Sequence, residues 1–507
     1  MSTPDKASVE SPAAPAPEGR AKMLAALLAG PIVFGLLVWL PIPLSYQGHI
    51  ALATFAWAAV WWITQPVPWA LAAALPIFVF PGAGVLDIVA TSRLYGQPIF
   101  FWTMGAVLVG YAIEKHGLAH RVALAFLALP GVGGRTSRLT FAYLSVVGLV
   151  SMFVSDASTV AMMMPIGMSL ARHVQTMADS PAGDDQETVQ PNLAAFLTLG
   201  TLYASVAGGT ATIMGVPHNA IAISLLARLA QRQLGFFEWM IIGMPLFVAL
   251  LVASYVVLWV MTPPELRELP HGEAFLRHER EKLGPLRPAE RRVFGVFVTM
   301  VVLFVLPTVA TLLLGPRHPL AAWVTRAVPF WIVPPTAMVL LFLIPERRSS
   351  SRRLLNWSDA QQHAPWNTMI LLAGAVGMTD ALSEFGFVEF MKSLVSTSWN
   401  SPLVLPILVA GITAVTTNFI SGTAATALYG SIFIPVAAQI GYSPASIAML
   451  IANLGVGMAL PWAGATTATA FAGGRIAMGR MVNIGIVATM VFALIVAMLH
   501  LLLSPLV

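Results

Sequence analysis

The chain has 507 residues, of which 57% are hydrophobic and only 10% are charged. A soluble domain could not bury that much apolar surface, so the composition excludes an ordinary globular enzyme and predicts an all-α polytopic membrane protein. The absence of cysteine excludes disulfides and thiolate metal sites, and the formal net charge of +5 gives no reason to expect a nucleic-acid partner.

The N-terminal segment changes character at Met23. Residues 1–22 are rich in proline, alanine and charge and predict a disordered cytoplasmic tail. The apolar run that follows has no small-residue cleavage site, so we expect a first membrane helix and not a removable signal peptide.

Further along the chain, about 20 apolar residues per span predict about eleven transmembrane helices. Nine of them are continuous: 23–44, 49–65, 68–84, 97–115, 235–262, 291–315, 320–345, 366–386 and 478–505. Two more, 193–225 and 443–472, are interrupted by glycine and proline. Two segments that are too short or too broken to span, 138–172 and 402–440, predict re-entrant hairpins.

These elements predict six regions. The proposed regions are the tail 1–22, scaffold helices at 23–90, a first transport repeat at 91–234, scaffold helices with a cytoplasmic connector (263–290) at 235–350, a second transport repeat at 351–475, and a C-terminal helix at 476–507.

Loop charges orient the chain with its N-terminus in the cytoplasm, as a multi-pass protein of the cytoplasmic (inner) membrane. The cytoplasmic loops of this layout hold Lys115, Arg121, Arg135, Arg138, Arg267, Arg277, Arg280, Lys282, Arg287, Arg347, Arg348, Arg352, Arg353, Arg475 and Arg480. The opposite loops hold mainly Arg317 and Lys392, which satisfies the positive-inside rule. The acidic loop 173–192, with Asp179, Asp184, Asp185 and Glu187, fits less well, but acidic residues weigh little in that rule.

The two halves of the chain repeat each other. The segment from Gly105 to Gly117 aligns with the segment that begins at Gly374, 269 positions later, and the polar residues Ser155 and Ser421 lie 266 positions apart. In the predicted layout the two blocks enter the membrane from opposite sides. This predicts an inverted repeat, which is typical of alternating-access carriers, whereas a channel would more naturally repeat in parallel around a pore.

Each half carries two segments that violate the rules for a membrane helix. Phe153–Pro165 and Phe419–Pro435 place small polar residues at bilayer depth, where only protein or a water-filled cavity can satisfy them. The later stretches Gly208–Asn219 and Gly457–Thr467 contain glycine and proline, which free carbonyls for a cation and helix N-termini for an anion. We therefore expect two hairpin tips and two helix breaks to converge on one central site of a transporter.

Several motifs support a family resemblance. Trp61–Pro68 (WWITQPVP) is similar to WWxTEPxP, the hairpin tips are similar to Ser-Asn-Thr motifs, and Gly215–Asn219 (GVPHN) is similar to Gly-Thr-Pro-Pro-Asn. With the glycine-rich helix that ends Ala112–Leu118, the chain resembles the divalent-anion:sodium symporters, the dicarboxylate, citrate and sulfate carriers, from about residue 23 to the C-terminus. The resemblance implies a homodimer in which the hairpin-bearing domain moves as an elevator against a scaffold of helices 1–3 and 7–8.

The resemblance also implies binding residues, with Na⁺ as coupling ion and no resident cofactor or catalytic group. The implied first sodium site is Ser151, Ser155, Asp156 and Gly215, and the implied second site is Thr417, Ile420, Gly422 and Ala463. The implied substrate-binding residues are Ser155, Asp156, Ala157, Val216, Pro217, Ser421, Gly422, Thr423, Gly464 and Ala465.

The tips depart from the family motif, because Ser155-Asp156-Ala157 and Ser421-Gly422-Thr423 both lack its asparagine. An ionised Asp156 cannot donate a hydrogen bond and would repel a substrate anion unless a cation or proton neutralised it. Three interpretations follow: a tighter first sodium site, a carrier whose coupling proton sits on Asp156, or a substrate that is not a dianion. The missing asparagine at Gly422 favours a weakened or absent second cation site.

Other interpretations of the same residues remain. Asp156 could instead cap the second hairpin helix through the Ser158 or Thr159 amide, and the tip hydroxyls could serve close helix packing. His218 could bind an anion, relay a proton or bond a nearby carbonyl, and Asp380 is a further proton candidate.

Rival functions and the substrate also remain open. An intramembrane hydrolase using Ser155 or Ser421 with His218 and a passive channel are the rival functions. The residues do not choose among dicarboxylate, sulfate and other small anions, or between symport and exchange.

Overall fold

A computed structural model describes residues 17–178, 191–267, 272–315, 317–347, 352–387, 390, 403–474 and 476–507. Most of the predicted tail, the acidic centre of the loop 173–192, and Arg348, Lys392 and Arg475 of the charge argument lie outside these ranges. Within them all regular elements are helical, and the extended pairing is limited to an isolated bridge between Pro345 and Arg353. The predicted all-α polytopic fold is therefore confirmed.

The described helices are numbered in chain order. The first twelve are α1 (Pro17–Trp39), α2 (Tyr46–Thr64), α3 (Trp69–Ala73), α4 (Leu75–Gly82), α5 (Ile88–Leu94), α6 (Pro98–Lys115), α7 (Leu118–Leu127), α8 (Thr136–Ser151), α9 (Asp156–Ala178), α10 (Pro191–Ala211), α11 (Pro217–Leu229) and α12 (Phe236–Met261). The remainder are α13 (Gly272–Lys282), α14 (Pro288–Leu314), α15 (Pro319–Ala327), α16 (Val333–Leu343), α17 (Trp357–His363), α18 (Trp366–Glu384), α19 (Val404–Thr416), α20 (Gly422–Gln439), α21 (Pro444–Asn453), α22 (Ala465–Gly473) and α23 (Met478–Leu503).

Several predicted spans are broken in the structure. Six helices of the described ranges are long and apolar enough to cross a membrane alone, and the pair α15–α16, bent by 40°, makes a seventh. That bend follows Pro329, whose ring nitrogen carries no hydrogen for a helical bond. The predicted span 68–84 divides into α3 and α4 at Ala74, directly before a helix that contains Pro76 and Pro81.

Both predicted hairpins form, and each packs with the other half of the chain. Met152–Ser155 connects α8 to α9, and Thr417–Ser421 connects α19 to α20. The predicted breaks separate α10 from α11 and α21 from α22. Helix α11, which follows the first break, packs against α20 of the second hairpin, whereas α22 packs against α9 of the first.

Short helices lie in segments that were predicted to be cytoplasmic loops. Helix α7 follows Gly117, whose φ of +75° reverses the chain after α6 at little cost because glycine has no Cβ. Helix α13 lies within the predicted connector 263–290 and packs against α7. The sequence analysis did not predict α7, because its ten residues are too few for a span.

Candidate functional site

The first hairpin tip is capped by Ser155. Its Oγ accepts a bond from the Ser158 amide at 3.4 Å, and its carbonyl accepts one from the Thr159 amide at 2.8 Å. The expectation that Asp156 caps these amides is therefore wrong. Because Asp156 is already the first residue of α9, its carboxylate instead accepts the amide of Ala157 at 2.8 Å.

Asp156 is buried and connects the first tip to both halves of the chain. The side chain of Thr466, from the start of α22, interacts with its carboxylate. On the other side, Ser205 of α10 donates to the Asp156 carbonyl at 3.0 Å and lies 3.2 Å from the Ser151 hydroxyl. Ser205 was not predicted. The available signal was its position one turn before the Gly208-Gly209 pair.

The first break is held by Asn219. Its amide nitrogen donates to the carbonyls of Gly209, at 3.0 Å, and Thr212, at 2.9 Å, while its own oxygen is buried without a partner. The Thr212 hydroxyl in turn donates to the Met152 carbonyl in the first tip. Gly215 lies so close to Gly209 that an added Cβ would come within 2.6 Å of its carbonyl oxygen. The first break and the first tip therefore form one hydrogen-bonded unit.

The second tip repeats this capping with different contacts. The Ser421 Oγ accepts the Ala424 amide at 3.2 Å and lies 2.9 Å from the Thr423 hydroxyl. The backbone of Gly422 lies so close to the second break that an added Cβ would overlap the carbonyl oxygen of Gly455. The asparagine that the family motif places here would not fit in this arrangement.

The second break is held by Asn418, which the sequence analysis did not select. Its side-chain oxygen accepts the Ala459 amide at 2.9 Å, and its nitrogen donates to the Ala414 carbonyl at 2.8 Å. A Cβ added at Gly457 would overlap the Thr417 carbonyl and would lie 2.8 Å from the Ala463 Cβ. Thr417 and Ala463, two members of the predicted second cation site, therefore both lie next to Gly457.

Comparisons with known proteins identify the family of this chain. The pattern of the sodium:sulfate symporter transmembrane region matches residues 20–506. The chain belongs to the sodium:sulfate symporter family. The sodium-dependent dicarboxylate transporter SdcS of Staphylococcus aureus strain NCTC 8325 is 28% identical over 496 residues, which cover 96% of this chain and 92% of that protein. Its counterpart in strain MRSA252 is 28% identical over 493 residues, with the same coverage.

Two solved structures have a related fold. The MtrF protein of Neisseria gonorrhoeae, described as one of a class of antimetabolite efflux pumps, aligns with a TM-score of 0.58 at 13% identity and covers 93% of this chain and 97% of its own. The YdaH transporter of Alcanivorax borkumensis aligns with a TM-score of 0.54 at 12% identity, covering 82% and 86%. At these identities the likeness concerns the fold alone.

The other two proton candidates, His218 and Asp380, have different partners in the structure. His218 is buried, interacts with the Ala452 backbone and packs against Gly455, so it connects the first break to the second. The Asp380 carboxylate pairs with Arg228 of α11 at 3.2 Å.

The geometry gives no support to hydrolase chemistry. A serine nucleophile needs a base within hydrogen-bond reach. In the described ranges, the side-chain bonds of Ser155 and Ser421 go to backbone amides and Thr423, whereas His218 interacts with the Ala452 backbone. The family match supports transport.

Proposed function

We propose that this protein is a secondary active transporter that couples Na⁺ to the uptake of small anions, such as dicarboxylates or sulfate, across the cytoplasmic membrane, with its N-terminus in the cytoplasm. The observation that carries the proposal is the contact of Asp156 in the first tip with Thr466 after the second break. It brings elements from both halves of the chain to one buried point. Family membership supports sodium-coupled anion transport, and the geometry supports this point as its site.

The first cation site is the better defined of the two. The Ser205 hydroxyl bonds the Asp156 carbonyl and lies 3.2 Å from the Ser151 hydroxyl, and Ser155 directly precedes the buried Asp156 at the tip. These residues, with the backbone of Gly215, are the proposed oxygen ligands. Na⁺ is a hard cation that prefers oxygen ligands, as Ca²⁺ and Mg²⁺ do. A bound Na⁺ would neutralise Asp156 and thereby remove the repulsion between this carboxylate and an anionic substrate.

The anion then binds between the tips and the breaks. None of the ten proposed substrate residues is basic, so the positive charge must come from bound cations and from helix N-termini. Four helices begin at this site: α9 at Asp156, α11 at Pro217, α20 at Gly422 and α22 at Ala465. The hydroxyls of Ser155, Ser421 and Thr423 supply side-chain donors. This dependence on a bound cation is the physical basis of coupling.

The second cation site is weaker in this proposal. The contact between Gly422 and the Gly455 carbonyl leaves no room for an amide side chain, so Thr417, Ile420, Gly422 and Ala463 offer backbone oxygens and one hydroxyl. Asp156 is the only carboxylate among the proposed cation-binding residues, so the carrier would hold one cation tightly. We expect uptake to depend on Na⁺ with a Hill coefficient near one.

Proton coupling through Asp156 is the second candidate. A buried carboxylate at a transport site is itself a proton acceptor, and protonation would remove the same repulsion as Na⁺. His218 and Asp380 are less suited to this role. His218 already interacts with the Ala452 backbone, and Asp380 pairs with Arg228.

The proposed movement is an elevator within a homodimer. The reciprocal packing of α11 on α20 and of α22 on α9 favours an inverted repeat that moves as one body. The early and middle helices form the scaffold, and part of their apolar surface carries the dimer contact. Carrying a lone anion inward against 100 mV costs about 2.3 kcal/mol per charge, which explains why coupling is needed.

The deciding experiment is uptake of radiolabelled succinate, citrate and sulfate into proteoliposomes, with sodium and proton gradients imposed separately. We expect sodium-driven uptake by the wild type and at least a tenfold higher half-saturating Na⁺ concentration in Asp156→Asn. Thr299→Ala, which removes an exposed hydroxyl of α14 outside the proposed site, is the matched control. Proton-driven uptake that Asp156→Asn abolishes would establish the second candidate, and uptake that does not saturate would contradict both.

A further inference from the structure

A polar cavity lies at the cytoplasmic ends of α6 and α16 and contains none of the proposed substrate-binding or cation-binding residues in its lining. It has a volume of about 530 Å³ and lies between the start of α7, the connector after α13 and the first turn of α14. Its basic lining consists of Lys115, His116, His120, Arg121, Arg287 and Arg347. A cavity of this size accommodates a phosphate headgroup.

Two basic residues of this lining already form ion pairs. Lys115 pairs with Asp359 at 2.7 Å, and Arg121 pairs with Glu290 at 3.0 Å. Arg287 and Arg347 have no ion-pair partner among the described residues, and the remaining carboxylates of the lining are Glu114 and Glu346. Neither arginine lies within ion-pair distance of a carboxylate of the described residues, so both can pair with an anion in the cavity.

The neighbouring surface of α14 is suited to acyl chains. Phe294, Val298 and Val302 recur at every fourth residue and are 50%, 40% and 52% exposed. This spacing puts them on one face of the helix, and the stripe begins within two turns of Arg287. Two further arginines, Arg291 and Arg292, lie in the same first turns of α14. Basic pockets at the cytoplasmic end of a membrane helix are typical sites for acidic lipid headgroups.

We infer that this cavity binds the phosphate headgroup of an acidic phospholipid, held by Arg287 and Arg347, with its acyl chains along the stripe of α14. A soluble phosphate has the same headgroup chemistry but cannot use the stripe. The combination of charge and exposed apolar surface is what favours the lipid.

A bound lipid would contact both the start of α7 and the first turn of α14, which line the cavity. Arg121 of α7 donates to the carbonyls of Gly284, at 2.7 Å, and Leu283, at 3.0 Å, so the start of α7 is already tied to the connector. Gly117, with its positive φ, lies in the cavity wall at the turn between α6 and α7. We therefore expect the lipid to stabilise the position of α7 against α14.

The test measures binding directly, so its outcome does not depend on transport. Purified protein would be titrated with nanodiscs or mixed micelles containing phosphatidylglycerol or phosphatidylcholine, and with inorganic phosphate, while thermal unfolding and lipid retention by native mass spectrometry are recorded. The variant is Arg287→Gln/Arg347→Gln. The matched control is Arg277→Gln/Arg280→Gln, which removes the same charge from exposed positions of α13 on the same side.

We expect phosphatidylglycerol, but not phosphatidylcholine, to raise the melting temperature and to be retained. The cavity variant should lose at least tenfold in affinity, while the α13 control stays within twofold of the wild type. Equal loss in both variants would overturn the inference, because it would show a diffuse surface-charge effect. Stabilisation by inorganic phosphate alone, with no preference for the lipid, would also overturn it in favour of a soluble anion site.

Discussion

Single residues at the tips distinguish this chain from the Ser-Asn-Thr motif of the family that it resembles. Asp156 introduces a carboxylate at the first tip, and Gly422 removes a side chain from the second tip. The structure gives a steric reason for the glycine, because its backbone packs directly on the carbonyl of Gly455. The two departures act in opposite senses: one tip gains a charged ligand and the other loses a polar one.

The first prediction at this scale concerns Gly422→Ala. The added methyl would overlap the Gly455 carbonyl, and overpacking of this kind costs about 1–3 kcal/mol. We expect transport to fall at least tenfold and the melting temperature to decrease. Gly411→Ala, on the first helix of the same hairpin, is the control because nothing lies within 4 Å of the added atom. Wild-type transport by Gly422→Ala would show that the contact between tip and break is not needed.

At the scale of elements, an asparagine near each break holds the irregular backbone in place. Asn219 bonds carbonyls on the far side of the first break, and Asn418 bonds the Ala459 amide in the second. Unpaired backbone groups are costly at membrane depth, so these side chains explain how the breaks are tolerated. Each break is therefore held by specific side-chain hydrogen bonds and is not a frayed helix end.

Another contact at this scale joins the end of α6 to α17 through the ion pair of Lys115 with Asp359. Burial alone would raise the pKa of the Asp359 carboxyl, but the hydrogen bond and the positive charge of Lys115 outweigh it and hold the pKa below its usual value. A lowered pKa in the folded state stabilises the protein above the unfolded-state pKa. This contribution is lost as the pH falls through the folded-state pKa.

We therefore expect Asp359→Asn to lower the free energy of unfolding by up to about 1 kcal/mol at pH 7. The difference from the wild type should disappear in acid, below about pH 4, the usual range of an aspartate. Thermal unfolding in detergent across this pH range measures the effect. Glu279→Gln, which breaks the exposed pair with Lys282 in α13, should cause no resolvable change. A difference between Asp359→Asn and wild type that is independent of pH would contradict the ion-pair explanation.

At the scale of the whole molecule, the elevator proposal requires the hairpins to slide past the scaffold. In the structure Gln65, at the end of α2, donates to the Phe419 carbonyl in the second tip at 3.4 Å. The first tip meets the scaffold as well, because the rings of Phe153 and Phe297 of α14 pack edge to face at 5.0 Å. Rigid-body movement would break both contacts.

The native chain contains no cysteine, which makes this movement testable by cross-linking. We expect Gln65→Cys/Phe419→Cys, joined by a short bismaleimide, to lose at least tenfold in substrate counterflow. A reversible mercury bridge should give the same loss and recover with reductant. Each single-cysteine variant treated with the same reagents controls for modification alone. Full counterflow by the cross-linked protein would exclude relative movement of this tip and α2.

Much of the fold follows from local sequence pattern. Long apolar runs predicted most spans, and hydroxyl-rich segments between such runs predicted both hairpins, because bilayer thickness and backbone satisfaction constrain these features residue by residue. Short surface helices such as α7 were missed, since ten residues give little periodic signal. Ser205 and Asn418 were missed because neither lies in a motif, and their roles depend on partners 41 or more positions away.

The sequence by itself determined that this is a polytopic membrane protein with paired hairpins and breaks, because composition, span length and glycine or proline interruptions are local properties. Only the tertiary structure decided which residues meet: Asp156 with Thr466 and Ser205, Gly422 with Gly455, and His218 with Ala452. Each of these pairs joins separate helices, and their approach is set by how the two halves pack. No local sequence pattern encodes the distance between such partners.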